Sequence, residues 1–185
     1  MTEDDFLSTW STWQKAHSWS PDPGEVYAEP PLEILGYATK PVRLSRVPVF
    51  GRGLAVVAIT RHPVDLMSDA VGLQAWVERI GKAVNGLHPP WKSRRPGAVL
   101  LTAVQLTPEP IRGEDEERFK AALGHWTGTR VVPAAIVRIN LGQHAMASMM
   151  AEGLPRDMPE LGELIDIWAG DFHRFVPMWN DTEAL

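Results

Sequence analysis

The chain has 185 residues, of which 44% are hydrophobic and 22% are charged, so it can build one hydrophobic core unaided. Its formal net charge of −5 gives no general attraction to phosphate backbones, and its lack of cysteine excludes disulfides, cysteine-ligated zinc and thiol catalysis. The acidic start and the absence of an apolar run of about 18 residues argue against a secretory signal and a membrane span. We therefore expect a single cytoplasmic domain that has neither a nucleic acid nor a membrane as its partner.

Residues 1–19 carry an aromatic stripe on a polar background. Phe6, Trp10 and Trp13 follow one another at spacings of four and three residues, which predicts an amphipathic helix. Three large aromatic side chains left in water would forfeit roughly 1.5 to 3 kcal/mol each, so we expect protein to cover them. Two alternatives remain for the surface that covers this stripe: the helix docks on its own domain, or it binds a protein partner.

Residues 20–48 form a proline-rich segment. It contains six prolines: Pro21, Pro23, Pro30, Pro31, Pro41 and Pro48. Proline lacks a backbone N–H and restricts the residue before it, which prevents a helix and favours an extended chain. We expect a connector that wraps around the α/β domain formed by residues 49–185.

In this last region, apolar runs of strand length alternate with amphipathic helical patterns. The predicted strands span about 54–59, 98–106 and 131–141, and the predicted helices span about 68–86, 113–126 and 159–175. Continuous apolar runs are typical of strands buried on both faces, and the alternation favours parallel strands joined by helices. The predicted fold class is α/β, with a mainly parallel or mixed sheet of three or more strands and helices packed on it.

Two details complete the predicted fold. Trp76 and Trp168 lie at the centres of apolar stripes in the first and third of these helices, so we expect both indoles to be buried. A methionine-rich segment at 144–150 is expected to be helical.

Candidate site residues follow the predicted strands. In open α/β sheets, ligands bind beyond the carboxyl ends of the strands, and here those ends are followed by His62, Glu109 and His144. Two imidazoles and a carboxylate could form an acid–base pair or a metal site if the strand order brings them together. Polar residues also occur at strand ends because the chain meets solvent there, so both interpretations stay open.

The sequence contains none of the common catalytic or cofactor motifs. No Gly-x-Gly-x-x-Gly or Walker pattern follows a predicted strand, and the Gly-x-Ser-x-Gly and His-Glu-x-x-His patterns are absent. We therefore expect no cofactor and assign no metal ligand. The preferred hypothesis is a non-catalytic protein-interaction or accessory protein of a bacterial-type multicomponent system, which binds its partner through Phe6, Trp10 and Trp13. The alternative is a small-molecule or metal-dependent enzyme with its site at the carboxyl ends of the strands.

Overall fold

A computed structural model describes residues 1–16, 18–21, 30, 32–42, 53–61, 70–85, 98–123 and 131–151. In chain order they form α1 (Glu3–Ala16), β1 (Ser20–Pro21), β2 (Glu33–Val42), β3 (Gly53–Arg61), α2 (Ala70–Asn85), β4 (Ala98–Leu106), α3 (Glu114–Leu123), β5 (Val131–Asn140) and β6 (Ala145–Met150). These strands make one sheet in sequential order, β1-β2-β3-β4-β5-β6. The predicted α/β fold class is confirmed.

The sheet is mixed, with a parallel centre and antiparallel flanks. β3, β4 and β5 run parallel to one another, whereas β2 pairs antiparallel with β3 and β6 pairs antiparallel with β5. One helix lies between each pair of parallel strands in the sequence, α2 before β4 and α3 before β5. This arrangement places the carboxyl ends of three neighbouring strands at one edge of the sheet.

Helices α2 and α3 pack on the same face of the sheet, which we call the α2–α3 face. Trp76 of α2 and Phe119 of α3 belong to one buried cluster, together with Leu101 of β4 and Val56 of β3. Trp76 is only 1% exposed, as its position in the predicted helix led us to expect. The other large indole expected in the core, Trp168, lies outside the described residues, as does the predicted helix 159–175.

Helix α1 packs on the opposite face, which we call the α1 face. Phe6 and Trp10 are each 2% exposed and share a buried cluster with Ala55, Val57 and Val104 of the sheet. Both faces of the central strands are therefore covered, and residues 53–60 of β3 are all buried. Burial on both faces explains why these strands read as continuous apolar runs rather than as alternating patterns.

A capping box starts helix α1. The backbone N–H and the hydroxyl of Thr2 donate to Asp5 Oδ2 at 3.1 and 2.6 Å, and the Asp5 N–H donates to Thr2 Oγ1 at 3.2 Å. The side-chain and backbone hydrogen bonds from Thr2 hold the pKa of Asp5 below its ordinary value. No helix within the described ranges is long and apolar enough to cross a membrane.

The proline-rich segment is extended over residues 33–42, as expected, and there it contributes a full strand to the sheet. They form β2, which pairs with β3 from Glu33 to Val42. Ile34 packs against the cluster on the α2–α3 face and Leu35 against the cluster on the α1 face, which shows the alternation of a strand. Pro41 lies next to the last residue of β2, near the strand end, where a missing N–H donor is better tolerated.

The methionine-rich segment is a strand as well, so the expected helix at 144–150 is wrong. Residues 145–150 form β6, which continues from β5 through a turn at 141–144. Ala147 and Met149 pack on the α2–α3 face and Met146 packs on the α1 face. Pairing with β5 satisfies the backbone of this segment, and that tertiary contact outweighs the helix preference of alanine and methionine.

Candidate functional site

The carboxyl ends of β3, β4 and β5 meet at one edge of the sheet, which we call the carboxyl edge. The start of α1 reaches the same edge, because the Met1 amino group lies 3.4 Å from His144 Nε2. The Glu3 carboxylate binds the Arg61 guanidinium at the end of β3, and Glu33 binds it from β2 at 2.8 Å. These contacts raise the pKa of Arg61 above its ordinary value, and the hydrogen bond to Glu3 is the largest cause. The N-terminal helix is thus tied to the edge by exposed polar contacts.

Two of the three predicted site residues lie at the carboxyl edge. Glu109 is half-buried in the loop after β4, and His144 is exposed in the turn after β5, with a positive φ of 51°. His62 lies outside the described residues. Over the described part of the chain, no three histidine, aspartate or glutamate side chains are grouped to hold a metal ion. A site shared by His62, Glu109 and His144 therefore stays a prediction.

Asn140, the last residue of β5, joins the two loops that carry Glu109 and His144. Its Nδ2 donates to the backbone oxygens of Pro108 and Glu109 at 3.0 and 2.8 Å, and its Oδ1 accepts from the Gln143 N–H at 2.8 Å. Asn140 is only 2% exposed. The polarity of this strand end therefore holds neighbouring loops in place.

The predicted partner-binding residues lie on helix α1 and face the sheet. Phe6 and Trp10 are buried against the sheet of this chain, and Trp13 is half-buried beside them. The rings of Trp10 and Trp13 stack with centroids 5.0 Å apart, and Trp13 also contacts the ring of Trp19 at 6.3 Å. The stripe thus forms part of an aromatic cluster that covers the α1 face.

A row of polar side chains crosses the three parallel strands just before the carboxyl edge. Thr60 of β3, Gln105 of β4 and Arg138 of β5 are partners in the strand register, and we call them the polar row. Thr60 and Gln105 are 0% exposed, and Arg138 is 6% exposed. The row lies on the α2–α3 face, since each helix bonds one of its members. Polar groups this deeply buried need hydrogen-bond partners, so their bonding decides what the row can do.

The two outer members of the row are bonded. Trp76 Nε1 donates to Thr60 Oγ1 at 3.2 Å, and that hydroxyl donates to the Val104 backbone oxygen at 3.0 Å. Arg138 Nη1 donates to Asp115 Oδ1 at 3.0 Å, and Asp115 is 1% exposed. Helix α2 therefore engages Thr60, and helix α3 forms a buried ion pair with Arg138.

The central member of the row is not bonded. Both amide atoms of Gln105, Nε2 and Oε1, are buried and have no hydrogen-bond partner in the part of the chain that the structure describes. The same holds for Nε of Arg138 on the next strand. A buried polar atom without a partner costs about 1 to 3 kcal/mol, and a native chain that keeps several together calls for an explanation such as a bound molecule.

Gln105 and Arg138 are not among the predicted site residues, because those were chosen only from positions that follow the strands. Both lie inside apolar runs, in the segments Val-Gln-Leu and Val-Arg-Ile. A polar residue inside a strand that is buried on both faces was the available signal, since such a residue cannot reach solvent. The position of Gln105 beside Thr60 could not be seen without the strand register.

A comparison with protein-family models found no match, and comparisons with curated proteins and with solved structures found none either.

Proposed function

We propose that this chain is a binding protein for a small polar molecule, which it holds at the polar row beneath the carboxyl edge. One observation carries the proposal: the Gln105 amide is fully buried with both of its polar atoms unbonded. A molecule that bonded this amide would remove the cost of leaving it unpaired, so binding and stability would be coupled.

The hydrogen bonds at the polar row favour a binding role over a catalytic role. The Thr60 hydroxyl is engaged by Trp76 and Val104, and the two oxygens of Asp115 accept from Arg138 and from the Arg112 backbone N–H. A nucleophile or a general base must point at its substrate, whereas Thr60 and Asp115 are directed at protein partners. We therefore assign the row a recognition role. The proposal thus shares its non-catalytic character with the preferred hypothesis from sequence.

The more specific hypothesis of a protein partner bound through Phe6, Trp10 and Trp13 has a structural cost. Phe6 and Trp10 are each 2% exposed and pack on this chain's own sheet. A partner could reach them only after α1 had left the α1 face. We prefer the polar row as the recognition site because its central amide lacks hydrogen-bond partners among the described residues.

A thermal-shift screen tests the proposal. Uracil, propionate, inorganic phosphate, propylamine and glucose would each be added at millimolar concentration to the wild-type chain and to the variant Gln105→Met, which keeps the side-chain length without the amide. Thr102→Val is the matched control, because Thr102 Oγ1 is also buried and unbonded on β4. Strand alternation places Thr102 on the α1 face, with Val104 and Leu106.

The expected result is that at least one compound raises the Tm of the wild type and of Thr102→Val and leaves that of Gln105→Met unchanged. A screen in which no compound raises the Tm contradicts the proposal. An equal rise in Gln105→Met contradicts it as well, because the compound would then bind elsewhere.

A further inference from the structure

We propose that the outer edge of β6 is a self-association surface, at which β6 pairs antiparallel with β6 of a second copy of this chain around a two-fold axis. This surface is separate from the polar row, which crosses the three parallel strands, and it needs no ligand. Three properties of β6 support the proposal: its place in the sheet, its composition, and the direction of its backbone groups.

β6 is one of the two outer strands of the described sheet. The other outer strand, β1, has only two residues, and one of them is Pro21, which has no N–H to donate. β6 has six residues and, within the described part of the chain, pairs with β5 on one side only. A contact between two such sheets therefore uses β6 of both copies. Because the same surface is used twice, the contact closes as a dimer and does not continue into a filament.

β6 lacks the features by which edge strands usually avoid pairing. Its sequence, Ala-Met-Ala-Ser-Met-Met, contains no charged residue and no proline, and its register with β5 shows no bulge. In a two-fold pair, the residue at the axis lies opposite its own copy, so a charged residue there would face its own charge. The uncharged β6 pairs with its copy without that repulsion, although the whole chain has a net charge of −5.

The hydrogen bonds to β5 determine which backbone groups of β6 point outward. The Ala151 N–H donates to the Ala134 oxygen at 2.9 Å, and these two residues continue the β5–β6 register. Along an antiparallel pair, residues alternate between bonding the residue opposite and pointing away from it. The N–H and C=O groups of Met146, Ser148 and Met150 therefore point away from β5.

These outward groups fit a two-fold axis at Ser148. With Ser148 opposite its own copy, Met146 of each chain lies opposite Met150 of the other, and all three outward residues form hydrogen-bonded pairs. Three N–H donors from each copy then give six hydrogen bonds between the chains. An axis at Ala147 would place Met150 opposite His144, which lies in the turn before β6. The axis at Ser148 is therefore the one that uses the whole edge.

Sedimentation velocity of the full chain over about a hundredfold range of concentration tests this contact, and the wild type is expected to shift from monomer to dimer. Ser148→Pro removes an N–H that points outward and leaves the bonds to β5 in place, and Ser148→Lys puts two like charges at the axis. Each variant is expected to raise the dissociation constant of the dimer about tenfold or more, the size expected for losing two hydrogen bonds. Ser148→Thr keeps the N–H and adds no charge, so this control should dimerise like the wild type.

A disulfide cross-link tests the register. The chain has no cysteine, so Ser148→Cys introduces a single thiol. Cα atoms of a hydrogen-bonded antiparallel pair lie about 5.5 Å apart, and disulfides span about 4.4 to 6.8 Å between Cα atoms. We expect Ser148→Cys to form a linked dimer on mild oxidation. Ser8→Cys, at an exposed position of α1, is the control and should form far less.

A wild type that stays monomeric overturns the proposal. In that monomer, a Ser148 amide proton protected from exchange would show that another segment of this chain occupies the edge, and an unprotected one would leave the edge to a different protein. A dimer that neither Ser148→Pro nor Ser148→Lys weakens overturns the proposal as well, because the copies then meet elsewhere. If these variants weaken the dimer but Ser148→Cys links no better than Ser8→Cys, the axis at Ser148 is wrong.

Discussion

Removing the charge of Asp115 tests the buried ion pair that links α3 to the polar row. Asp115 and Arg138 have side-chain exposures of 1% and 8%, and their atoms Oδ1 and Nη1 lie 3.0 Å apart. In Asp115→Asn, an amide oxygen can still accept from the Arg112 N–H, as Oδ2 does at 3.0 Å, so the first turn of α3 keeps its cap. The Arg138 charge, however, loses its buried counter-ion. Breaking a buried pair from one side typically costs about 3 to 5 kcal/mol, and we expect a loss of that size in the free energy of unfolding.

Urea denaturation monitored by tryptophan fluorescence gives the free energy, and Glu114→Gln is the control. Glu114 pairs with Arg118 at 3.0 Å, but its side chain is 74% exposed, so its loss should cost at most about 0.5 kcal/mol. The double variant Asp115→Asn with Arg138→Met removes both charges and should be more stable than Asp115→Asn alone. A loss below about 1 kcal/mol in Asp115→Asn, or strictly additive effects in the double variant, would refute this account of the pair.

Four further predictions follow from individual contacts. Trp76→Ala should lower the free energy of unfolding by about 3 to 5 kcal/mol, because Trp76 is 1% exposed, and a loss under 1 kcal/mol in urea denaturation would count against its core role. His144→Gly should raise the same free energy by up to about 1 kcal/mol, because glycine adopts the φ of 51° without strain; a decrease would show that the imidazole itself stabilises the turn. The pKa of Asp5 is lower in the folded chain than its ordinary 3.8, so its contribution is present at neutral pH and is lost as the pH falls below about 4. The Tm difference between the wild type and Asp5→Asn should therefore shrink in acid, and a constant difference would contradict the capping box. Deleting residues 1–19 should lower the Tm, because Phe6 and Trp10 leave the α1 face; an unchanged Tm would contradict the packing of α1.

The elements predicted most accurately are those with a long, uniform pattern. Residues 98–106 were predicted as a strand and form β4, and the helix predicted at about 68–86 is α2, Ala70–Asn85. Their patterns are decided locally, by an apolar run of nine residues in one case and by a period of 3.6 in the other. The sequence could therefore predict the α/β core without knowledge of the contacts between elements.

Two strands that were not predicted, β2 and β6, depend on pairing with a neighbour. β2 contains a proline and lies in a segment dense in prolines, and β6 is only six residues long and rich in alanine and methionine. The prolines in and around β2 and the alanine and methionine of β6 count against a strand, although β2 also carries the strand-forming residues Ile34, Tyr37 and Val42. β2 is extended against β3 and β6 against β5, and these partners are known only from the sheet. The pairing partners of these two strands cannot be read from their local sequence.

The polar row at the candidate site depends on strand pairing even more than β2 and β6 do. The rule that ligands bind at strand ends selected residues at the carboxyl edge, where Glu109 and His144 lie. It could not identify the polar row, because Thr60, Gln105 and Arg138 are separated by 45 and 33 positions in the chain and become neighbours only through the register of three strands. A shift of one residue in either pairing would move Gln105 to the opposite face from its neighbours.

The unbonded state of Gln105 can be traced to the order of the elements. β4 is the middle strand of the parallel unit, between β3 and β5. The helix that follows β3 donates to Thr60 through Trp76, and the helix that follows β4 binds Arg138 on β5 through Asp115. Each helix thus bonds an outer strand, and among the described residues neither α2 nor α3 bonds the side chain of Gln105. The packing of two helices on three strands leaves the middle strand's amide unbonded, and this is the position that a ligand in our proposal occupies.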